Sequence, residues 1–167
     1  MEQKDFNKIF ISMKDKVFRF ARAILADTAE AEDVTQDIFE KLWLNREHSN
    51  EYNNMESFLI RSTKNLCLDR IKHNNVVLKN AKILKVLNNN KVEPQSEKKE
   101  VSEIIKSIIN ELPKKQKMII HLRDVEGYEF DEIYEATGIE QNAIRVNLSR
   151  ARKTVKQELL KTMNYGL

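Results

Sequence analysis

Apolar residues recur at intervals of three and four along most of the chain, the spacing that gathers side chains on one face of an α-helix. The clearest stripe lies within residues 5–25 and comprises Phe6, Ile9, Phe10, Met13, Val17, Phe20, Ala21, Ile24 and Leu25. The same spacing recurs in residues 33–43 and 55–73, so three amphipathic helices are predicted in the first half of the chain. The polar, asparagine-rich residues 45–55 lack this period and predict a loop.

The second half is also helical by this criterion. Residues 101–112 carry an isoleucine-rich stripe, and Pro113 is placed to start the next helix at its first turn. Residues 128–146 predict a short helix, a turn around Gly138 and a longer helix. Two helices joined by a tight, glycine-containing turn form the helix-turn-helix arrangement.

The helical spacing is lost over residues 74–100, which contain two runs of asparagine, Pro94 and scattered lysines. We expect a linker that is flexible at least over residues 88–99. Three glycines and two prolines in 167 residues are too few for the turns of a β fold. The predicted fold class is therefore all-α, with two small helical domains, residues 1–73 and 101–167, joined by a flexible linker.

Charge is distributed unevenly over the second half. Residues 101–140 carry five basic and nine acidic residues, whereas residues 141–167 carry six Lys or Arg and one Glu. On a helical wheel of the last helix, the face opposite its apolar stripe comprises Asn142, Arg145, Val146, Ser149, Arg150, Lys153 and Lys156. Asn and Arg pair bidentately with base edges and Lys contacts phosphates, so this face predicts a DNA duplex as partner. The alternative is a solvated basic face that complements the dipole of its own helix.

An acidic cluster in the first half has the opposite character. Six acidic residues and no basic ones lie between Asp27 and Glu40, with Asp33, Gln36 and Asp37 at helical spacing. Acidic groups near a helix N-terminus can simply complement the helix dipole. A functional role would require a basic protein surface, because DNA repels such a patch. The chain would then be an adaptor between a protein machine and a duplex.

A third feature joins the asparagine-rich loop to the basic helix that follows it. Its residues are Tyr52, Asn53, Asn54, Arg61, Lys64, Asn65, Arg70 and Lys72. An aromatic and amide-bearing loop beside a basic helix suits unstacked bases, which need stacking surfaces and amide edges.

No pattern typical of catalysis, of a metal site or of a cofactor site is found. The three histidines lie far apart, and HExxH, a phosphate-binding glycine loop and a nucleophile elbow are all missing. The single cysteine, Cys67, excludes a disulfide framework and is predicted to be an inert core thiol. Neither a signal peptide nor the apolar run of a membrane span occurs, so we expect a soluble cytoplasmic protein without a small-molecule substrate.

Three motifs, in order, resemble the sigma-70 family of bacterial transcription initiation factors, in its small extracytoplasmic-function group. They are EAEDVTQDIFEKLW, SFLIRSTKNLCLDRIK and LPKKQKMIIHLRDVEGYEFDEIYEATGIEQNAIRVNLSRARKTV. The resemblance implies sigma region 2 over residues 1–73, a linker over 74–100 and sigma region 4 over 101–167. It implies an alternative sigma factor, not an enzyme, that binds core RNA polymerase and directs it to specific promoters.

The resemblance also implies a role for each motif. Asp33, Gln36 and Asp37 would contact the clamp helices of the polymerase β′ subunit. The residues that would melt and recognise the −10 element are Tyr52, Asn53, Asn54, Arg61, Asn65 and Arg70. The residues that would contact the −35 element are Asn142, Arg145, Val146, Ser149, Arg150 and Lys153. Further implied partners are the polymerase β flap and a membrane-linked anti-sigma factor.

Four positions depart from the family pattern. Tyr134 stands where a small residue is common, which predicts wider packing of the two helices. Glu129 replaces a Ser or Thr cap, and Glu140 and Gln141 replace a proline-containing entry to the recognition helix.

Two hypotheses stay open. An autonomous helix-turn-helix repressor or activator would bind a duplex tightly without polymerase. For the linker, its apolar residues either form an amphipathic helix that packs on either half in the free protein and gives a compact inactive state, or simply extend the core of the third helix. These residues are Val76, Val77, Leu78, Ile83, Leu84, Val86 and Leu87.

Overall fold

The computed structural model describes residues 1–81 and 101–165, and every regular element within those ranges is helical. The predicted all-α class is confirmed. In chain order the elements are α1 (Gln3–Leu25), α2 (Thr28–Leu44), a 3₁₀ turn (Arg46–Glu51), α3 (Met55–Ala81), α4 (Val101–Asn110), α5 (Lys114–Ile120), a π turn (His121–Val125), α6 (Phe130–Thr137) and α7 (Gln141–Tyr165).

Helices α1, α2 and α3 pack on one another and form the core of the first half. The buried residues are Met13, Val17, Phe20, Ala21 and Ile24 of α1, Ala31, Val34, Ile38, Phe39 and Leu42 of α2, and Leu59, Ile60 and Cys67 of α3. Helix α1 ends where Ala26 adopts a left-handed conformation (φ 54°). The carboxylate of Asp27 then caps α2 by accepting a 2.8 Å hydrogen bond from the Glu30 N–H.

Two predictions about α3 and its approach require correction. The segment expected to be a loop contains the 3₁₀ turn Arg46–Glu51, in which the backbone satisfies its own hydrogen bonds locally. Helix α3 continues to Ala81 because residues 74–81 contain neither Gly nor Pro, so the predicted linker begins inside a helix. Its last turns are exposed on all sides, and Val76 is 50% exposed. The remaining apolar residues of the linker hypothesis, at positions 83–87, lie outside the described residues.

The second half is built around α5, α6 and α7. Its fully buried side chains are Ile119, Leu122, Ile133, Ala136, Ile144 and Ala151. Pro113 immediately precedes α5 instead of occupying its first position. Gly138 ends α6 in a left-handed conformation (φ 73°), which a side chain would strain, and this turn sends the chain into α7. Tyr134 is 45% exposed, and the wider packing of the two helices stays a prediction.

The two halves also pack on each other. Helix α6 lies against α3, and α5 with the π turn lies against α1. The arrangement sets the helix-turn-helix directly beside the helix that carries the predicted −10 contacts.

Candidate nucleic-acid interface

Helix α7 presents the basic face that the sequence predicts. All six predicted −35 residues are exposed, namely Asn142, Arg145, Val146, Ser149, Arg150 and Lys153. The opposite face is anchored by Ile144, Leu148 and Ala151, which are buried. Because the apolar stripe fixes the rotation of the helix, the exposed side chains form a continuous surface with amide, hydroxyl and guanidinium groups.

Polar contacts fix both the start and the middle of α7. The side-chain amide of Gln141 donates a hydrogen bond to the Asp131 carboxylate of α6, which ties the two helices of the helix-turn-helix together. Arg152 makes a two-pronged ion pair with Asp124 of the π turn, at 3.0 and 2.5 Å. These hydrogen bonds raise the pKa of Arg152. Arg152 therefore anchors α7 to the domain, whereas Arg145 and Arg150 project from it.

The predicted −10 residues surround the start of α3. The ring of Tyr52 stacks on Phe58, with centroids 3.8 Å apart. Asn54 caps α3, because its side-chain oxygen accepts a 3.1 Å hydrogen bond from the Ser57 N–H. Asn53 and Asn65 are exposed. Sequence reasoning placed these residues together, and the cap on α3 explains how the loop is held against the helix.

Helix α6 covers part of this surface. Lys64 donates a 2.7 Å hydrogen bond to the Thr137 carbonyl, and Arg61 donates one to the Glu135 carbonyl. Asn54 also donates to the Glu135 carboxylate, at 3.1 Å. The last carbonyls of a helix lack intrahelical partners and carry partial negative charge, so cations are favourable ligands for them. The C-terminus of the first helix in the helix-turn-helix is therefore held by side chains predicted to contact the −10 element.

A second set of contacts joins α1 and α3 of the first half to residues 126–128 of the second half. Arg19 makes two 2.8 Å hydrogen bonds with the carboxylate of Glu126. The hydroxyl of Tyr128 donates to the Glu56 carboxylate, which also accepts a 2.6 Å hydrogen bond from Lys16. Each of these groups belongs to a different half from its partner, except Lys16 and Glu56. Two clusters thus hold the halves together, the first through the ion pair of Arg19 with Glu126 and the second through the hydrogen bond from Tyr128 to Glu56.

Burial and charge compete at the first of these clusters. Burial opposes ionisation of Glu126, but the hydrogen bonds and charge of Arg19 outweigh it and lower the pKa of Glu126. The neighbouring His121 is buried, and its Nε2 lies 3.2 Å from the Glu126 carboxylate without the alignment of a hydrogen bond. Burial lowers the pKa of His121, and the positive charges of Arg19 and Arg22 act in the same direction. His121 is therefore neutral near pH 7.

The three predicted docking residues of α2, Asp33, Gln36 and Asp37, are all exposed. Asp37 also lies 2.6 Å from Arg70 of α3, so a predicted docking residue and a predicted −10 residue form an ion pair. Leu44, the last residue of α2, is 68% exposed.

Sequence reasoning missed the residues that join the halves, above all Arg19, Glu126, Tyr128 and Glu135. Each occupies an ordinary polar or aromatic position in its own helix or turn, and no local spacing marks its distant partner. Within the described ranges, no group of three or more His, Cys, Asp or Glu side chains is placed to hold a metal ion. No helix there has both the length and the apolar character needed to cross a bilayer.

Comparisons with known proteins match both halves. A family model described as Sigma-70 region 2 matches residues 9–76, and one described as Sigma-70, region 4 matches residues 102–155. The chain is 26% identical over 164 residues to a probable RNA polymerase sigma factor, RfaY, of Xanthomonas campestris pv. campestris. That alignment covers 95% of this chain, but the chain spans only 41% of RfaY.

Two further relatives match over most of both chains. The ECF RNA polymerase sigma factor SigW of Bacillus subtilis is 23% identical over 169 residues, covering 95% of this chain and 90% of SigW. The solved structure of the sigma factor RpoE of Bartonella quintana, in complex with the anti-sigma factor NepR, matches with a TM-score of 0.76 and 22% identity. It covers 95% of this chain and 98% of RpoE, which shows that the fold is shared.

Proposed function

The chain belongs to the extracytoplasmic-function group of the sigma-70 family, and we propose that it binds core RNA polymerase and directs it to promoters with particular −10 and −35 elements. Members of this family are transcription initiation factors. The observation that carries the proposal is the surface of α7, where six exposed residues of the predicted −35 set stand on a helix whose other face is buried. Such a helix presents side chains to a major groove without exposing its apolar stripe.

Docking on the polymerase is assigned to α2. Asp33 and Gln36 offer exposed polar groups, and Leu44 at the end of the same helix supplies apolar area that a partner surface can bury. The β′ clamp helices are the partner on this side, and the β flap is the partner of the second domain. Asp37 becomes available to the polymerase when its ion pair with Arg70 is exchanged for a contact with the partner.

The −10 surface is assigned to Tyr52, Asn53, Asn54 and α3. In the described arrangement Asn54 and Arg61 bind α6, so the halves have to separate before these side chains reach single-stranded bases. The compact state is therefore inactive for promoter opening, and polymerase binding favours the separated state by occupying surfaces on both halves. The direct contact between the halves supports this mechanism without the linker helix that the sequence suggested.

An anti-sigma factor is proposed as the further partner, by similarity to RpoE, whose solved structure contains the anti-sigma factor NepR. A second solved structure, of CnrH with the cytosolic domain of CnrY, also matches, with a TM-score of 0.68. We propose that the chain acts in the cytoplasm, on the transcription apparatus, and that it catalyses no reaction itself.

Run-off transcription with core polymerase tests the proposal. Templates carrying a randomised promoter region are incubated with core enzyme and the full chain, and the transcribed templates are sequenced. We expect enrichment of two sequence elements at a fixed spacing, lost when the chain is omitted. Tight binding to a duplex without polymerase, with no enriched −10 element, would instead establish the repressor or activator alternative.

A further inference from the structure

The ring of Phe130 lies within cation–π distance of two arginine side chains. Phe130 is the first residue of α6, and it is partly buried against the core of the second half. The guanidinium carbons of Arg123 and Arg145 each lie 5.2 Å from the centroid of this ring. Cations within about 6 Å of an aromatic centroid are attracted by the negative charge of its π face.

The first of these arginines is held firmly. Arg123 donates a 2.7 Å hydrogen bond to the Tyr128 carbonyl and lies 2.9 Å from the Glu129 carboxylate. Glu129, which departs from the family pattern, both contacts Arg123 and belongs to a capping box at the start of α6, in which the Glu132 carboxylate accepts a 2.7 Å hydrogen bond from the Glu129 N–H. A row of contacts runs from Glu129 through Arg123 and Phe130 to the exposed Arg145.

We infer that Phe130 is a positioning residue that sets the base preference of Arg145 in the −35 element. This inference rests on the proposed function of α7. A guanidinium that stacks by its face keeps its N–H donors in the plane free, and those donors form the bidentate contact with a guanine. Stacking also restricts a side chain that otherwise loses considerable rotamer freedom on binding. Phe130 therefore favours the arginine orientation that recognises one base pair, without touching DNA.

The test uses holoenzyme assembled from core polymerase and the full chain, bound to promoters randomised in the −35 element. Sequencing of bound and unbound promoters gives a preference at each position for wild type, Phe130→Leu, Phe130→Tyr, Arg145→Ala and the Phe130→Leu/Arg145→Ala double variant. Phe18→Leu is the matched control, because Phe18 carries a similar contact with Arg22, 5.9 Å from its ring, on α1. Circular dichroism melts check that each variant folds.

We expect Arg145→Ala to abolish preference at one base pair and Phe130→Leu to weaken preference at the same pair by about two- to fivefold, the range for an exposed cation–π contact. Phe130→Tyr, which keeps the aromatic ring, should retain the preference at that base pair. Phe18→Leu should change no base preference. Phe130→Leu should add nothing in the Arg145→Ala background.

Equal losses at every position, or a Phe130→Leu effect that persists in the Arg145→Ala background, would overturn the positioning role alone. Unchanged preferences for Arg145→Ala would instead overturn the proposed role of Arg145, and the positioning role with it.

Discussion

The ammonium nitrogen of Lys64 lies 2.7 Å from the carbonyl oxygen of Thr137, although the two residues are 73 positions apart and belong to different halves of the chain. Burial lowers the pKa of Lys64, and the positive charge of Arg61 adds to this effect. Both cations nevertheless point at the C-terminal carbonyls of α6, where the helix dipole favours them. The polar groups of a surface suited to the phosphates and bases of a promoter are thus bound by α6 of the same protein until the halves separate.

We expect Arg19 to hold the two halves together, so its substitution should favour their separation. Replacing Arg19 by Gln removes a two-pronged ion pair between the halves and should weaken their contact by about 1 kcal/mol, discounted because the Arg19 side chain is 48% exposed. The radius of gyration from small-angle X-ray scattering should therefore increase.

Arg152→Gln is the matched control for that measurement, because it removes an equivalent pair with Asp124 inside one half. If both variants change the radius of gyration equally, or neither does, Arg19 does not control the separation of the halves.

Docking on core polymerase should depend on Asp33. The Asp33→Lys variant places a positive charge against a basic partner surface and should weaken core binding about tenfold or more, with no change in melting temperature. Glu47→Lys makes the same charge change on the exposed 3₁₀ turn and serves as control. Asp37→Lys is a less direct test, since it also leaves Arg70 without its partner. Equal affinity of Asp33→Lys and Glu47→Lys for core enzyme in a titration would contradict the role of Asp33 in docking.

Substitution of a base-contacting residue on α7 should have a different effect on promoter binding from substitution of a phosphate-contacting residue. Arg145→Ala should cost about 1–3 kcal/mol on promoters with the preferred base pair and relax the preference there. Lys156→Ala should weaken binding to all promoters alike. It should also reduce the slope of the logarithm of the binding constant against the logarithm of salt concentration by about one. Competition assays across a set of −35 variants, at several salt concentrations, provide the measurement. Matching profiles for the two variants would show that this division is wrong.

Stability should fall on mild acidification because of His121. Its folded-state pKa is lowered from the ordinary 6.5, so the unfolded chain binds the proton first, and stability present above pH 6.5 is lost as pH falls below it. Glu126 also stabilises the folded state, but its pKa is lowered from 4.5, so that contribution is lost only at more acidic pH.

Thermal melts at about pH 7.5 and about pH 5.5 isolate His121 when wild type is compared with His121→Gln, because His48, whose pKa is raised by its hydrogen bond with Glu51, is present in both proteins. The wild type should lose stability between them, and His121→Gln should lose less. His73→Gln, at an exposed position of α3, should behave as wild type. A wild-type melting temperature that is the same at both values would contradict the role of His121.

The thiol of Cys67 should be inert in the folded protein. It is fully buried, and burial raises its pKa to about 12, so almost no thiolate exists at neutral pH. A chromogenic thiol reagent should label the native protein only at the rate of unfolding, and immediately in denaturant. Rapid labelling of the native protein would show that the α3 core opens locally.

The sequence by itself determined the helical class and the orientation of each helix. Helical spacing marks the residues that leave water, and hydrophobic burial depends on that spacing more than on any particular neighbour. The buried stripes of α1 and α7 and the exposed basic face of α7 were therefore predictable. The prediction failed locally where backbone hydrogen bonding decides the outcome, as in the 3₁₀ turn and the continuation of α3 to Ala81.

Only the tertiary structure decided which polar groups meet. Charge patterns identified Arg61, Lys64 and Asn54 as a surface for nucleic acid, but nothing local indicates that Glu135 and Thr137 occupy it in the closed arrangement. The same holds for Asp37 with Arg70 and for Phe130 beneath Arg145. Hydrogen bonds and ion pairs are short-ranged and directional, so they form between side chains that packing brings together from distant parts of the chain. Periodicity shows which face of a helix is covered, and the packing of whole helices determines what covers it.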